Sequence, residues 1–100
     1  LATALIFEQK GEGAWKDSGR NDMPPLNGVF VSPTGKAVTA GMGGIVLERT
    51  VYYWEELPYP ETDADWHAVW IDEEDGVWVA GGNLGSIAAM NNGTVLRYAK

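Results

Sequence analysis

Short apolar segments alternate with turn-forming residues along the whole chain. Val, Ile, Trp, Tyr and Phe gather in runs of about five to eight residues, the usual length of a β-strand. Stretches such as "SPTGK", "EEDG" and "NNG" separate the runs. No segment keeps apolar residues at the spacing of an amphipathic helix over three turns. The pattern therefore predicts an all-β fold.

The same pattern occurs twice along the chain. The stretches "LNGVFVSPTGKAVTAG" (residues 26–41) and "WHAVWIDEEDGVWVAG" (residues 66–81) align over sixteen positions without a gap. The identical positions are Val29/Val69, Ala40/Ala80 and Gly41/Gly81. Residue class is kept at most of the others, so we interpret the two stretches as copies of one structural unit.

Each unit is predicted to contain four antiparallel strands. In the first unit the strands are expected at residues 28–32, 36–41, 45–49 and 51–57, and in the second at 67–72, 76–81, 86–90 and 94–99. The residue pairs Asp75-Gly76 and Asn92-Gly93 are predicted hairpin turns. Residues 2–8 and 13–17 form the third and fourth strands of a preceding half-unit. The chain is thus a single array with a half-unit at 1–25 and full units at 26–65 and 66–100.

The first strand of each unit is apolar on both faces, as "VFV" and "AVWI" show. An antiparallel strand with one face in water should alternate instead. We therefore expect Val29, Val31, Val69 and Ile71 to occupy equivalent buried places, with a layer on either side. Four short strands repeating every ~40 residues are typical of β-propeller blades, which stack face to face. The chain would hold about two and a half blades.

The segment "LNGVFVSPTGKAVTAGMGGIVLE" followed by Trp54, and its closer copy "DGVWVAGGNLGSI", resemble the propeller repeats of bacterial exported proteins. The repeats are similar to those of Asp-box (sialidase-like) and photosystem-assembly-factor propellers. The resemblance implies a propeller fold and an extracellular or periplasmic location. The chain departs from the family at Thr39, where an aromatic residue or Val is usual. It also lacks the S-x-D-x-G-x-T-W Asp-box, which weakens a sialidase interpretation.

The composition of the chain limits the classes of partner that it is expected to bind. The net charge of −7 and the seven scattered Lys and Arg residues argue against a nucleic-acid partner. There is no cysteine, which excludes disulfides and cysteine-ligated metals. No apolar run approaches the ~18 residues of a membrane span.

No catalytic constellation is visible, and we expect neither an enzyme nor a cofactor. His67 is the only histidine, so catalytic triads and histidine metal sites would rest on one residue. The acidic run from Asp72 to Asp75 could hold a hard cation such as Ca²⁺, but it aligns with the hairpin turn "SPTG". A solvated acidic loop is the favoured interpretation of Asp72 and Asp75, and no metal is predicted.

Aromatic residues near strand ends are the candidate ligand contacts. They are Trp66, Tyr52, Tyr53 and Tyr59, to which His67 at a strand end is added. The leading hypothesis is a non-catalytic binding or scaffold module of propeller blades, with a protein or glycan ligand. The alternatives are a carbohydrate-binding, lectin-like propeller and a fragment of a propeller glycosidase. With an incomplete ring, the chain is expected to be a homo-oligomer or part of a longer propeller chain.

Overall fold

The computed structural model describes residues 4–18, 22–60, 64–83 and 93–99. Within these ranges the chain forms antiparallel β-strands and one short 3-10 turn at Met42–Gly44, with no α-helix. The strands are β1 (Phe7–Glu8), β2 (Lys16–Asp17), β3 (Leu26–Val31), β4 (Ala37–Gly41), β5 (Val46–Arg49), β6 (Trp54–Glu56), β7 (Asp65–Ile71), β8 (Val77–Gly82) and β9 (Gly93–Tyr98). The all-β prediction is confirmed.

The strands form three sheets that follow one another in the chain. Strands β1 and β2 make a two-stranded N-terminal hairpin, and β3-β4-β5-β6 make a four-stranded first sheet. Strands β7-β8-β9 make a three-stranded second sheet. No helix in the described ranges has the length and apolarity needed to cross a membrane.

The first two strands of each sheet pair in the same register. Val29 lies opposite Thr39, and its counterpart in the second sheet, Val69, lies opposite Val79. The register also shifts once in each pair, after Leu26 and after Trp66. The sixteen-position alignment therefore corresponds to two copies of one strand pair with the same local irregularity.

The turn that joins these strands is also repeated. The Ser32 N–H donates to the Lys36 carbonyl at 2.8 Å, and the Asp72 N–H donates to the Gly76 carbonyl at 2.9 Å. In each turn, the residue just before the one with the accepting carbonyl has a positive φ, 91° at Gly35 and 64° at Asp75. Glycine adopts this conformation without strain, and aspartate is one of the few other residues that tolerate it.

The second sheet differs from the prediction at its far edge. The predicted third strand, residues 86–90, and Asn92 lie outside the described residues. The strand predicted as fourth is β9, and it pairs directly with β8, with Gly93 opposite Gly82. Gly93 is therefore a strand residue, and the other residue of the predicted turn, Asn92, lies outside the described residues. Contacts of Leu96 and Tyr98 with the core hold β9 beside β8.

Alternation along the strands gives each sheet two faces. Face A carries the side chains of Val29, Val31, Ala37 and Thr39 in the first sheet and of Val69, Ile71, Val77 and Val79 in the second. Face B carries Gly28, Phe30, Val38 and Ala40 in the first sheet and Ala68, Trp70, Trp78 and Ala80 in the second. Cross-strand partners share a face, so these sets follow from the register.

The main core lies between face B of the first sheet and face A of the second. Its buried members are Val38, Ala40, Val46, Leu57, Ala64, Trp66, Val69, Ile71, Val77 and Val79. Polar contacts join the same layers: Asn27 Nδ2 donates to the Trp66 carbonyl at 2.8 Å, and Lys36 Nζ donates to the Asp75 carbonyl at 3.0 Å. The two sheets thus stack in the same orientation, so that face B of one sheet contacts face A of the next.

The equivalent burial predicted for the four aliphatic residues is wrong for the first sheet. Val69 and Ile71 are 8% and 7% exposed, whereas Val29 and Val31 are 68% and 61% exposed. Face A of the second sheet is covered by the first sheet. The β3 side of face A in the first sheet has no such cover among the described residues, because the N-terminal hairpin packs on its β5–β6 side.

Candidate binding cleft

A cleft of about 730 Å³ lies between the N-terminal hairpin and face A of the first sheet. Its floor is the open part of face A, including Val29, Val31 and Ala37. Its wall is the segment 5–9 of the hairpin, with Trp15 at the rim. Trp15, Leu5 and Phe7 are each more than half exposed. The cleft is therefore a largely apolar surface open to solvent.

The hairpin is held over β5 and β6 by a small second core. Met23, Leu47 and Trp54 are buried there, and Ala4 and Ile6 pack against them. Leu47 and Trp54 project from face A of β5 and β6, as the register requires. This packing leaves the β3 side of the same face free to form the cleft floor, whereas on β4 Thr39 is buried and Ala37 packs against the small core.

Glu8 fixes the hairpin to the first sheet through two side chains. Its Oε1 accepts hydrogen bonds from Arg49 Nε at 2.8 Å and Trp54 Nε1 at 2.6 Å, and Arg49 Nη2 reaches its Oε2 at 3.3 Å. Desolvation raises the pKa of Glu8, but the hydrogen bonds from Arg49 and Trp54 and the charge of Arg49 outweigh it, so the pKa lies below its ordinary value. Glu8 is the only carboxylate among the described cleft-lining residues, whereas a glycosidase uses a pair of carboxylates.

The polar atom on the cleft floor is already satisfied. The Thr39 hydroxyl donates to the Gly28 carbonyl at 2.6 Å, within its own strand pair. The rest of the Thr39 side chain is its methyl group, which is apolar. A buried polar atom with a partner makes no demand on a ligand, so the floor favours an apolar surface as its occupant.

Face B of the second sheet also exposes apolar side chains, beside the charged side chain of Arg97. The rings of Trp70 and Trp78 stack with centroids 5.7 Å apart and planes 5° apart. The Arg97 guanidinium lies 5.7 Å from the Trp78 ring centroid, on the side of β9. Trp70 is 37% and Val95 58% exposed. Indole rings dominate interface energetics because each removes a large apolar area from water.

Asp72, one of the two weak metal candidates in the acidic loop, uses both carboxylate oxygens in hydrogen bonds within the protein. Asp72 Oδ1 accepts the backbone N–H groups of Glu74 and Gly76, at 2.9 and 2.8 Å. Asp72 Oδ2 accepts Trp78 Nε1 at 2.7 Å and Arg97 Nε at 2.8 Å. Hydrogen bonds from Arg97 and Trp78, and then from the backbone, hold the pKa of Asp72 far below its usual range. Asp72 therefore organises a turn and the stacked pair.

Asp75 supplies the positive-φ position of the turn and a carbonyl to Lys36. No cluster of three carboxylate or histidine side chains suited to a metal occurs in the described part of the chain.

The five candidate ligand contacts are not brought together. Tyr52 and Tyr53 lie exposed in the β5–β6 turn, where their backbone N–H groups donate to Thr50 Oγ1. His67 is exposed near the start of β7. None of these residues is among the described residues that line the cleft.

Trp66 and Tyr59 belong to the core. Trp66 is fully buried between the sheets, and its Nε1 has no hydrogen-bond partner among the described residues. This corrects the expectation that Trp66 is available to a ligand. Tyr59 packs against Trp66 and Tyr98, and its hydroxyl donates to the Val77 carbonyl at 2.7 Å. Burial is the main reason that its pKa is raised to about 12.

The sequence did not indicate the cleft. Its residues Glu8, Trp15 and Arg49 come from distant parts of the chain, and Val29 and Val31 were assigned to the core. The signal that could have found it is the incomplete first unit: a half-unit can cover only half of the sheet that follows.

Comparison with family models, with curated proteins and with solved structures finds no match for this chain.

Proposed function

We propose that the chain is a non-catalytic binding or scaffold module built of β-propeller-type blades, whose open sheet faces engage further sheets. The observation that carries this proposal is the stacking of face B on face A between two sheets with the same register. Such stacking joins unlike faces, so it leaves one face of each kind open at the two ends. The module works by presenting these faces, to copies of itself or to other blades of a longer chain.

The exposed residues at both ends support a binding role. Val29 and Val31 on face A, and Trp70 and Val95 on face B, are large apolar side chains in contact with water. Contiguous exposed apolar surface of this kind marks interaction sites in soluble proteins.

Light scattering of the purified chain tests the proposal. The expected result is a mass that rises with concentration above the 10.8 kDa of one chain. A change that removes apolar surface from face B, Trp70→Asp, should lower this mass, and Val51→Asp in the exposed β5–β6 turn should not. A cooperatively folded monomer at all concentrations would overturn the self-associating form of the proposal.

A carbohydrate-binding module is the second candidate function. The position of Trp15, 65% exposed at the rim of a cleft that also holds Glu8 and Arg49, favours it. Aromatic rings offer a flat apolar platform beside polar groups. A glycan array probed with the chain and with Trp15→Ala tests it: binding that requires Trp15 supports a lectin, and the absence of binding to any glycan removes this candidate.

A further inference from the structure

We propose that the occupant of the cleft is a second copy of this chain, which docks head to tail with face B of its second sheet on face A of the first sheet. This inference rests on the proposed function and names its partner. The contact would repeat the sheet-to-sheet interface that the chain already contains.

The open faces of the two sheets lie at positions equivalent to those of the covered faces. Inside the chain, Phe30 and Val38 on face B of the first sheet cover Val69, Ile71 and their neighbours on face A of the second. In the alignment of the two units, the covering pair corresponds to Trp70, which is 37% exposed, and the half-buried Trp78, both on face B. The covered pair corresponds to Val29 and Val31, which are open in the cleft. Each open face is thus the counterpart of a face that is already covered within the chain.

The side chains of the two open faces also differ in size in complementary directions. On face A, Val31 and Ala37 in the cleft stand where the second sheet has Ile71 and Val77. On face B, Trp70 and Trp78 stand where the first sheet has Phe30 and Val38. The cleft floor is therefore smaller at two positions, and the opposing face is larger at two positions. Close packing requires large residues to face small ones across an interface.

At the edge of the contact, β9 of the second copy would meet the N-terminal hairpin of the first. The N-terminal hairpin occupies the β5–β6 side of face A, so β7 and β8 of the second copy would enter over β3 and β4. Val95 on β9 projects from face B beside Ala80. It would arrive at the hairpin wall, where Leu5 and Phe7 are 58% and 53% exposed. Apolar side chains that now face water would be covered on both copies.

A head-to-tail contact has a definite consequence for assembly. It uses different patches on the two copies, so it either closes into a ring or continues as a filament. A face B to face B contact would instead stop at a symmetric dimer. A substitution on only one face therefore affects association differently in the two arrangements.

Mixing two variants tests the proposal. Val31→Asp damages the cleft and leaves face B intact, and Trp70→Asp damages face B and leaves the cleft intact. Each variant alone should associate at least about 100-fold more weakly than the unmodified chain, because a carboxylate would be removed from water without a partner. An equimolar mixture should form a dimer of two chains and nothing larger, since only one good face remains on each partner.

Controls keep the result interpretable. Val51→Asp adds the same charge at a residue that is 84% exposed outside both faces, and it should associate like the unmodified chain. The measurements are made at low and high salt, because a net charge of −7 on each copy opposes association and salt screens it. If Trp70→Asp lacks a cooperative unfolding transition, Val95→Asp replaces it as the face B variant.

The outcomes separate this inference from the proposed function. A mixture that remains monomeric overturns the head-to-tail contact. Self-association that Trp70→Asp abolishes and Val31→Asp leaves intact shows a face B to face B dimer and also overturns it. Association that neither change affects leaves the scaffold function and removes this inference, whereas an unmodified chain that never associates removes both this inference and the self-associating form of the proposed function.

Discussion

Val29 and Val69 hold the same place in their sheets, opposite Thr39 and Val79, yet Val29 is 68% exposed and Val69 8% exposed. Backbone position and side chain are the same, so the difference comes from the layer that covers each residue. The first sheet covers Val69, and the N-terminal hairpin does not reach Val29.

This pair gives a matched stability test. Val69→Asp should lower the free energy of unfolding by at least about 3 kcal/mol, because an unpaired carboxylate would be placed in the core. Val29→Asp should change it by no more than about 0.5 kcal/mol, as for other exposed positions. Urea denaturation of both variants measures the difference. Equal losses would mean that the two faces are covered alike.

Gly41 and Gly81 provide a second test of the repeat. A Cβ at Gly41 would collide with the Pro25 carbonyl oxygen, and one at Gly81 with the Asp65 carbonyl oxygen. Changing either glycine to alanine should therefore cost about 1–3 kcal/mol of unfolding free energy. Gly28→Ala is the control, since its Cβ would meet Val69 and His67 at 3.6–3.7 Å, an ordinary contact distance. Thermal unfolding that shows Gly41→Ala or Gly81→Ala to be neutral would contradict the shared geometry.

Asp72 should make stability depend on pH in the acid range. Its hydrogen bonds to Arg97 and Trp78 hold the pKa below the value of about 3.9 in an unfolded chain. Between the two values the unfolded chain binds the extra proton, so the contribution of Asp72 is complete above about pH 4 and is lost as the pH falls below it. Asp72→Asn keeps an acceptor for the turn but loses the charged partner of Arg97.

The Asp72→Asn variant should be less stable than the unmodified chain at neutral pH, and the gap should narrow below about pH 4. Urea midpoints measured across that range give the comparison. Asp75→Asn serves as a loop control that removes a charge without touching these hydrogen bonds. A gap that stays constant down to low pH would show that the Asp72 charge is not what stabilises the loop.

Tyr59 should act in the opposite pH direction. Its hydroxyl donates to the Val77 carbonyl, and burial is the main reason that its pKa is raised to about 12. The neutral form is favoured by folding, so its contribution is present below the unfolded value of about 10 and is lost as the pH rises towards 12. Tyr59→Phe should cost about 1 kcal/mol at neutral pH through the lost hydrogen bond.

The matched control is Tyr52→Phe, because Tyr52 is 87% exposed in a turn. Stability curves from neutral to alkaline pH should show a smaller alkaline loss for Tyr59→Phe than for the unmodified chain. If the two tyrosine variants behave alike, the Tyr59 hydroxyl contributes nothing to the core.

The sequence predicted the repeated strand pairs because their causes are local. Turn residues predicted the hairpin at "SPTGK", and the alignment placed Gly41 and Gly81 at equivalent positions. These features depend on neighbours only a few residues away or directly across the hairpin.

The covering of each face could not be predicted in the same way. Val29 and Val69 are identical in sequence, and only the arrangement of whole sheets decides which one meets water. The hydrogen bonds that Asp72 accepts from Trp78 and Arg97 also depend on the placement of whole strands, which the acidic run did not indicate. Candidate ligand residues chosen as aromatics near strand ends included the buried Trp66, because the residue type does not indicate which side a sheet will cover.

The central claim, that a second copy covers the open face of the first sheet, is tested most directly by the reactivity of one thiol. The chain has no cysteine, so Val31→Cys introduces a unique thiol on the cleft floor and Val51→Cys a unique thiol in the exposed turn. The account predicts that the maleimide reaction rate at residue 31 falls at least about 10-fold from micromolar to near-millimolar protein, as burial protects a thiol from reagent. The rate at residue 51 should stay constant, and adding Trp70→Asp should restore fast reaction at residue 31. A rate at residue 31 that does not change with concentration would contradict the account.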